Sequence, residues 1–213
     1  DYWGQSFGTD GAGGSGPHYV FPGGSYRTAV GAHRVLNGLI PGKPKNTAAE
    51  FVTGEHMPEN WRGSLLANDF RANRTVRYEI QEKGSGYTAR EVETVLRSSH
   101  RSFRPVDIKM GPDGAVYVVD WYNPIIDHGE VDFHHPSRDK EHGRIWRLVA
   151  KDRPLLKRET IAEAKPAALL DLLKSPAQYN RVRARRELAK HDSGKVLPEL
   201  KKWLGALDKQ DPD

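Results

Sequence analysis

Residues 105–121, PVDIKMGPDGAVYVVDW, decide the fold. Val106, Ile108 and Met110 alternate with Asp107 and Lys109, the period of a strand with one face covered and one wet. GPDG (111–114) is a Pro-Asp-Gly turn, in which proline presets φ and glycine accepts the positive φ that side chains resist. The two apolar stretches it joins are expected to form an antiparallel hairpin. AVYVVDW (115–121) is apolar on both faces and is expected to be an inner strand covered on both sides.

Working outward, GSLLAND (63–69), RTVRYEI (74–80), REVETVL (90–96) and GRIWRLV (143–149) read as further short strands. Strands this short and closely spaced suit a β-propeller blade or a sandwich and argue against helices. The composition agrees: 37% hydrophobic residues, a mean hydropathy of −0.72, 21 Gly and 14 Pro describe a chain rich in turns. Residues 1–60 are harder to read. FGTDGAGGSGPHYVFPGGSY (7–26) is glycine-rich but interrupted by aromatics, so an ordered irregular loop is expected there.

After KDRPLL (151–156) the pattern changes period. PAALLDLLKS (166–175), NRVRARRELAK (180–190) and GKVLPELKKWLGAL (194–207) read as three helices. In the last, Val196, Leu197, Leu200, Trp203, Leu204 and Leu207 form one apolar stripe, and Pro198 falls early, where a missing N–H is tolerated. A β part over 1–150 and a helical part over 151–213 follow. The helical part holds 15 Lys and Arg against 10 Asp and Glu and so carries the whole net charge of +5.

Several functions are excluded by composition. Without cysteine the chain has no disulfide, thiolate metal site, cysteine nucleophile or covalent c-type haem of its own. No run of about 18 apolar residues exists to span a bilayer. The chain opens on DYWGQSFGTD, without an initiator Met or leader pattern, and ends where helix pairs would go on stacking, so it is expected to be part of something longer. Gly11, Gly13 and Gly16 satisfy G-x-G-x-x-G, but PHYVFPGG follows where a phosphate-binding helix should start. GLIPGKP (38–44) is one residue short of a phosphate loop and has Pro44 in the metal-binding place. Arg181, Arg183, Arg185 and Arg186 spread over more than one helix face with no aromatic interleaved, so a solvated or inter-repeat face is expected and no nucleic-acid partner.

The densest chemistry lies between the last two strands. From Tyr122 to His142 the chain carries no strand or helix pattern, and connections this long are usually functional or disordered. Trp121, Tyr122, Pro124, Ile125, Ile126 and Phe133 supply apolar anchors, so an ordered loop folded over one end of the β part is expected. Three uses are open. His128 or His142 is a candidate general base, oriented by Asp132, Asp139 or Glu130, while Arg138 or Arg144 holds an anionic group. Asp120, Asn123 and Asp139 count with the two arginines as candidates to line a cofactor. A metal is the second use, but adjacent His134 and His135 point apart in extended chain and the acidic spacing is not that of a calcium loop, so no metal ligands are assigned. The third is a loop that staples itself with its own ion pairs and hydrogen bonds.

FRPVDIKMGPDGAVYVVDWYNPIIDHGEVDFHHPSRDKEHGRIWRL (103–148) resembles the membrane-bound dehydrogenases of planctomycete-type bacteria, whose propeller is similar to soluble quinoprotein glucose and sorbosone dehydrogenases. The Asn-Pro-Ile-Ile run and the pattern Arg138, Asp139, His142, Gly143, Arg144, Ile145, Arg147 carry it, and YWGQSFGTDGAGGS, PENWRGSLLANDF and RPLLKRETIAEAKPAALLDLLKSPAQYNRVRARRELAK extend it over most of the chain. The resemblance implies a mainly β fold, the terminal blades of a six-bladed propeller over 1–150, followed over 151–213 by the start of an α-helical region of HEAT-like repeats. It implies a quinoprotein-type dehydrogenase oxidising a sugar or polyol, with pyrroloquinoline quinone (PQQ) and Ca²⁺ on the propeller's top face and a c-type cytochrome, its haem outside this chain, as electron acceptor. Periplasmic or cell-surface placement follows, with membrane association only through other parts of the protein. Catalysis by this chain alone is not expected, because the remaining blades lie outside it. At His134-His135-Pro136 the sequence departs from the family's Arg-Asp-Pro, so no acidic ligand is carried over to position 135. The alternative is a non-catalytic propeller and helical-repeat module that binds glycan or protein.

Overall fold

The structure is a computed structural model that describes residues 4–9, 16–24, 38–40 and 44–207. The chain is mainly β, with antiparallel sheets and few helices. It divides into two units: one from 1–52, 60–110 and 116–148, the other from 53–59, 111–115 and 149–213.

In the first unit, β1 (Ser6–Thr9) pairs with β2 (Pro17–Val20), and β3 (Asn46–Phe51), β4 (Leu65–Asp69), β5 (Arg74–Lys83) and β6 (Gly86–Arg97) form a four-stranded meander. A third sheet holds β7 (Pro105–Met110), β8 (Val116–Asp120) and β9 (Arg144–Leu148). The leading strands lie side by side, β1 against β3 and β3 against β7, and the Thr47 hydroxyl donates to the Pro105 carbonyl at 2.9 Å. Successive up-and-down sheets touching through their first strands are the arrangement of propeller blades, and the unit is consistent with part of one. Its core is made by the covered faces of the strands: Leu65, Ala67, Val76 and Tyr78 with Ala89 and Ile40. Ile108, Val116 and Val118 are fully buried in the last sheet.

The hairpin expected at 105–121 forms, with Ile108 opposite Val118 and Met110 opposite Val116. Two expectations are corrected. Strand β8 is central between β7 and β9, yet only one face is sealed: Val116, Val118 and Asp120 are buried while Val119 is 37% exposed. The glycine-rich stretch 7–26 is not irregular throughout, since its described ends pair as β1 and β2, Phe7 opposite Tyr19. The ring of Tyr19 packs on Phe7 and on Tyr87, 5.4 and 4.7 Å between centroids, and these cross-strand aromatics hold the ladder. The strand after Gly16 is β2, so no helix follows the glycine motif; its Gly11 and Gly13 lie outside the described residues, as does part of 38–44.

The second unit carries α1 (Pro166–Asp171), α2 (Gln178–Leu188) and α3 (Ser193–Gly205), with α1 packed on both α2 and α3. Lys174 closes a short 3₁₀ turn after α1, and the Asp192 side chain caps α3 by accepting from the Gly194 amide at 2.9 Å. The stripe on α3 is only partly covered, Leu197 and Leu204 being more than half exposed. Buried His56 accepts from the Ala150 amide through Nε2 at 3.1 Å, and its Nδ1 lies 2.9 Å from the Pro154 carbonyl, which fixes the neutral tautomer with the proton on Nδ1. Gly114 sits against it with φ +80°, and a Cβ there would lie 2.6 Å from that of His56. No helix among the described residues is long and apolar enough to cross a membrane.

Candidate functional site

The loop between β8 and β9 is ordered and has neither strand nor helix from Trp121 to Gly143. Its foot is built on Asp120, 1% exposed, whose Oδ1 accepts from the amides of Arg104 (2.8 Å) and Tyr122 (2.9 Å) and whose Oδ2 accepts from the Trp146 indole (3.2 Å). Three donors occupy both oxygens of this buried carboxylate, which serves the foot of the loop. Beside it the buried Arg104 guanidinium donates to the carbonyls of Asn123 (3.1 Å) and Phe70 (2.9 Å) and to the Asn73 side chain (3.3 Å). Burial pulls its pKa down and the Asp120 carboxylate opposes that shift. Asn123, also buried, donates to the Asp139 carbonyl (3.1 Å) and accepts from the Ile125 amide (3.1 Å), so the loop's two arms are tied at its base.

The tip is wound around Arg138. Its Nη2 donates to the carbonyls of Asp127, His128 and Val131 at 2.8, 3.0 and 2.8 Å, its Nε to that of Asp132 at 3.0 Å, and the guanidinium lies 5.3 Å from the Phe133 ring centre. A guanidinium has five N–H donors in a plane. Here that fork replaces the hydrogen bonds that a helix or sheet would have given the carbonyls, which is how a 23-residue connection stays folded. The Arg138→Ala variant is expected to lose about 1–2 kcal/mol of local stability. Limited proteolysis within 125–138 should then run about ten times faster while the melting temperature of the whole moves little.

Two apolar anchors are corrected, since Trp121 is 42% and Phe133 62% exposed. His128, His134 and His135 are exposed, and His128 contributes its carbonyl to Arg138. Glu130 is held below the usual carboxylate range chiefly by the amides of Glu130 and His128.

A different grouping forms where the loop returns to the sheet. The Asp139 Oδ1 accepts from the amides of Glu141 (3.0 Å) and His142 (2.8 Å), and its Oδ2 lies 2.9 Å from His142 Nδ1. Those amides, and then the imidazole, keep the Asp139 carboxyl below its ordinary pKa. Among the described residues His142 Nε2 has no hydrogen-bond partner. The ring meets Tyr122 edge-on at 5.9 Å, Tyr122 stacks on His100 at 5.5 Å, and the Arg144 guanidinium covers Tyr122 at 3.9 Å from its centre. Tyr122 reaches this place through a left-handed backbone, φ +55°, rare for an aromatic residue. His142 lines two adjoining clefts: a polar one of about 450 Å³ with Ser102, Tyr122, His134, His135 and Asp139, and an apolar one of about 480 Å³ with Val106, Val119, Trp121, Arg144 and Ile145.

The structure therefore brings His142, Asp139 and Arg144 together around Tyr122 and places His128 and Arg138 elsewhere on the loop. Asp120 and Asn123 lie beneath it. Sequence reasoning named Tyr122 only as an apolar anchor and missed His100 and Arg104 as parts of this end. Among the described residues no three His, Asp or Glu side chains are grouped to hold a metal ion.

Residues 41–152 match a family model described as Domain of unknown function (DUF7133). No curated protein matches. A solved crystal structure from Thermus thermophilus, of a protein assigned as an oxidoreductase (glucose dehydrogenase), is similar with 23% sequence identity and a TM-score of 0.45. The similarity covers 68% of this chain and 42% of that one, so the chain spans less than half of that structure's length. The family match takes in every strand from β3 to β9, the loop and more than half of the 213 residues, and the chain belongs to the DUF7133 family.

Proposed function

We propose that this end of the β unit is the acid–base part of a site that oxidises the hydroxyl group of a sugar or polyol. The observation that carries the reading is the Asp139–His142 pair, 2.9 Å between Oδ2 and Nδ1, at the edge of two clefts beside Arg144 and Tyr122. A carboxylate on Nδ1 fixes the tautomer that leaves Nε2 as acceptor and stabilises the imidazolium formed on protonation. In the step, the substrate O–H proton passes to His142 Nε2, the O–H electrons become the second C–O bond, and the carbon's hydrogen leaves with its electron pair to a diffusible two-electron oxidant of the quinone or redox-dye class. Arg144 steadies the developing oxyanion, and the indole of Trp121 packs on the carbon skeleton.

The resemblance of 103–148 brings with it PQQ and Ca²⁺. Their donors do not fit: Asp120, Asn123 and Arg138 have their polar atoms engaged within the chain, which leaves Arg144 as the open cation of the expected set. No step is routed through either group. The same resemblance supports a c-type cytochrome as the onward acceptor, a periplasmic or cell-surface location, and α1 to α3 as the first of the HEAT-like repeats.

A dye-coupled assay of aldoses and alditols with the His142→Asn variant tests the reading. Loss of a positioned general base should lower kcat by about 10²–10⁴ with KM changed less than roughly threefold, and Asp139→Asn should fall between the two. Turnover in His142→Asn within threefold of the parent would sink it. The alternative is a glycan-binding module without chemistry, which the self-stapled loop tip around Arg138 favours. On that reading sugars bind to the parent and to His142→Asn alike and nothing is oxidised.

A further inference from the structure

The second unit holds a cleft of about 510 Å³ that the sugar-site reading does not involve. One wall is the segment 158–162 and the other is α2, which presents Tyr179, Arg183 and Arg186 at spacings of four and three, a single helical face, with Lys190 two residues beyond its end. From the sequence the arginine run of α2 spreads over several faces; in the structure Arg183 and Arg186 turn into the cleft and Arg158 meets them from the opposite wall, while Arg185 does not line it. Lys190 is neutralised by Glu187 at 2.6 Å, and Glu187 also accepts from the Glu163 amide at 3.1 Å; the lysine first, and then the amide, draw the Glu187 pKa below the usual range. Among the described residues none of Arg158, Arg183 and Arg186 meets a carboxylate. The Arg183 guanidinium rests 5.2 Å from the Tyr179 ring centre, so its plane is braced against the cleft wall. Ile161 and Ala162 add an apolar patch.

We propose that this cleft is a binding site for a small molecule with at least two oxyanion groups, carboxylate or phosphate. Guanidinium forks match such groups bidentately, two arginines one turn apart suit two anionic groups on one ligand, and the volume is that of ordinary small-molecule sites. The acidic lining, Glu159 and Glu187, disfavours a long polyphosphate chain such as nucleic acid.

Isothermal titration of citrate and, separately, of pyrophosphate into the 213-residue chain distinguishes the two oxyanion classes. Saturable one-to-one binding below about 1 mM is expected for one of them, weakened by salt. It should drop at least tenfold in both Arg158→Ala and Arg186→Ala and remain within twofold in Arg185→Ala. Circular dichroism of each variant confirms that α2 is retained. No saturable binding of either probe overturns the proposal. So does equal loss in Arg185→Ala, which reports bulk charge, or binding of polyglutamate alone, which reports a surface for acidic proteins.

Discussion

Asp120→Ala should be the most damaging single substitution in the β unit, with a loss of about 3–5 kcal/mol. The carboxylate is buried and accepts from the Arg104 and Tyr122 amides and the Trp146 indole. Each donor stranded away from water costs roughly 1–3 kcal/mol, partly relieved where it reaches solvent. For a protein of this size a kcal/mol moves the midpoint by about 2–4 °C, so thermal unfolding should begin roughly 10 °C earlier. Asp120→Asn separates charge from geometry. Its carbonyl can still accept both amides while its NH₂ faces the indole N–H donor to donor, and a loss of roughly 1–2 kcal/mol is expected. An alanine variant melting within about 2 °C of the parent would show that the three contacts do not hold the foot of the loop.

Arg104→Met ranks second, at about 3 kcal/mol. Methionine fills much of the space but donates nothing, so the Phe70 and Asn123 carbonyls and the Asn73 side chain lose their partner inside the unit. Because Asn123 starts one arm of the loop and reaches the Asp139 carbonyl in the other, cleavage within 121–143 should accelerate together with the loss of stability. Arg104→Lys keeps the charge but reaches fewer acceptors, and should recover less than half of the deficit. If the methionine variant unfolds at the parent's denaturant midpoint, the guanidinium is not the tether described.

What could be read from the sequence follows how local each determinant is. The turn at 111–114 and strand β7 were legible because alternation and Pro-Asp-Gly chemistry act within a few residues. The strand β1 was not, since Phe7 is placed by Tyr19 and Tyr87, far away in the chain. An apolar run does not tell a sealed face from an exposed one, which is why Val119 was misjudged. At the loop, the Asp139–His142 pair lies three residues apart and could be found by spacing. Arg138 could not be understood that way: whether an arginine waits for an anion or gathers carbonyls depends on how the backbone curls around it. Arg104, one arginine among many, gave no signal, since its role comes from burial alone.

Asp120 and Arg144, where the loop leaves the sheet and returns, are register partners across β8 and β9. The ends of this connection are therefore fastened by the ladder itself, whatever lies between them. Closing a longer or shorter segment across fixed ends changes the entropy only logarithmically, about 0.6 kcal/mol for a doubling of length. The loop is thus a replaceable cassette: provided the Asp120 foot is kept, relatives can rewrite the tip, and an engineer can graft a new one, without renegotiating the sheet.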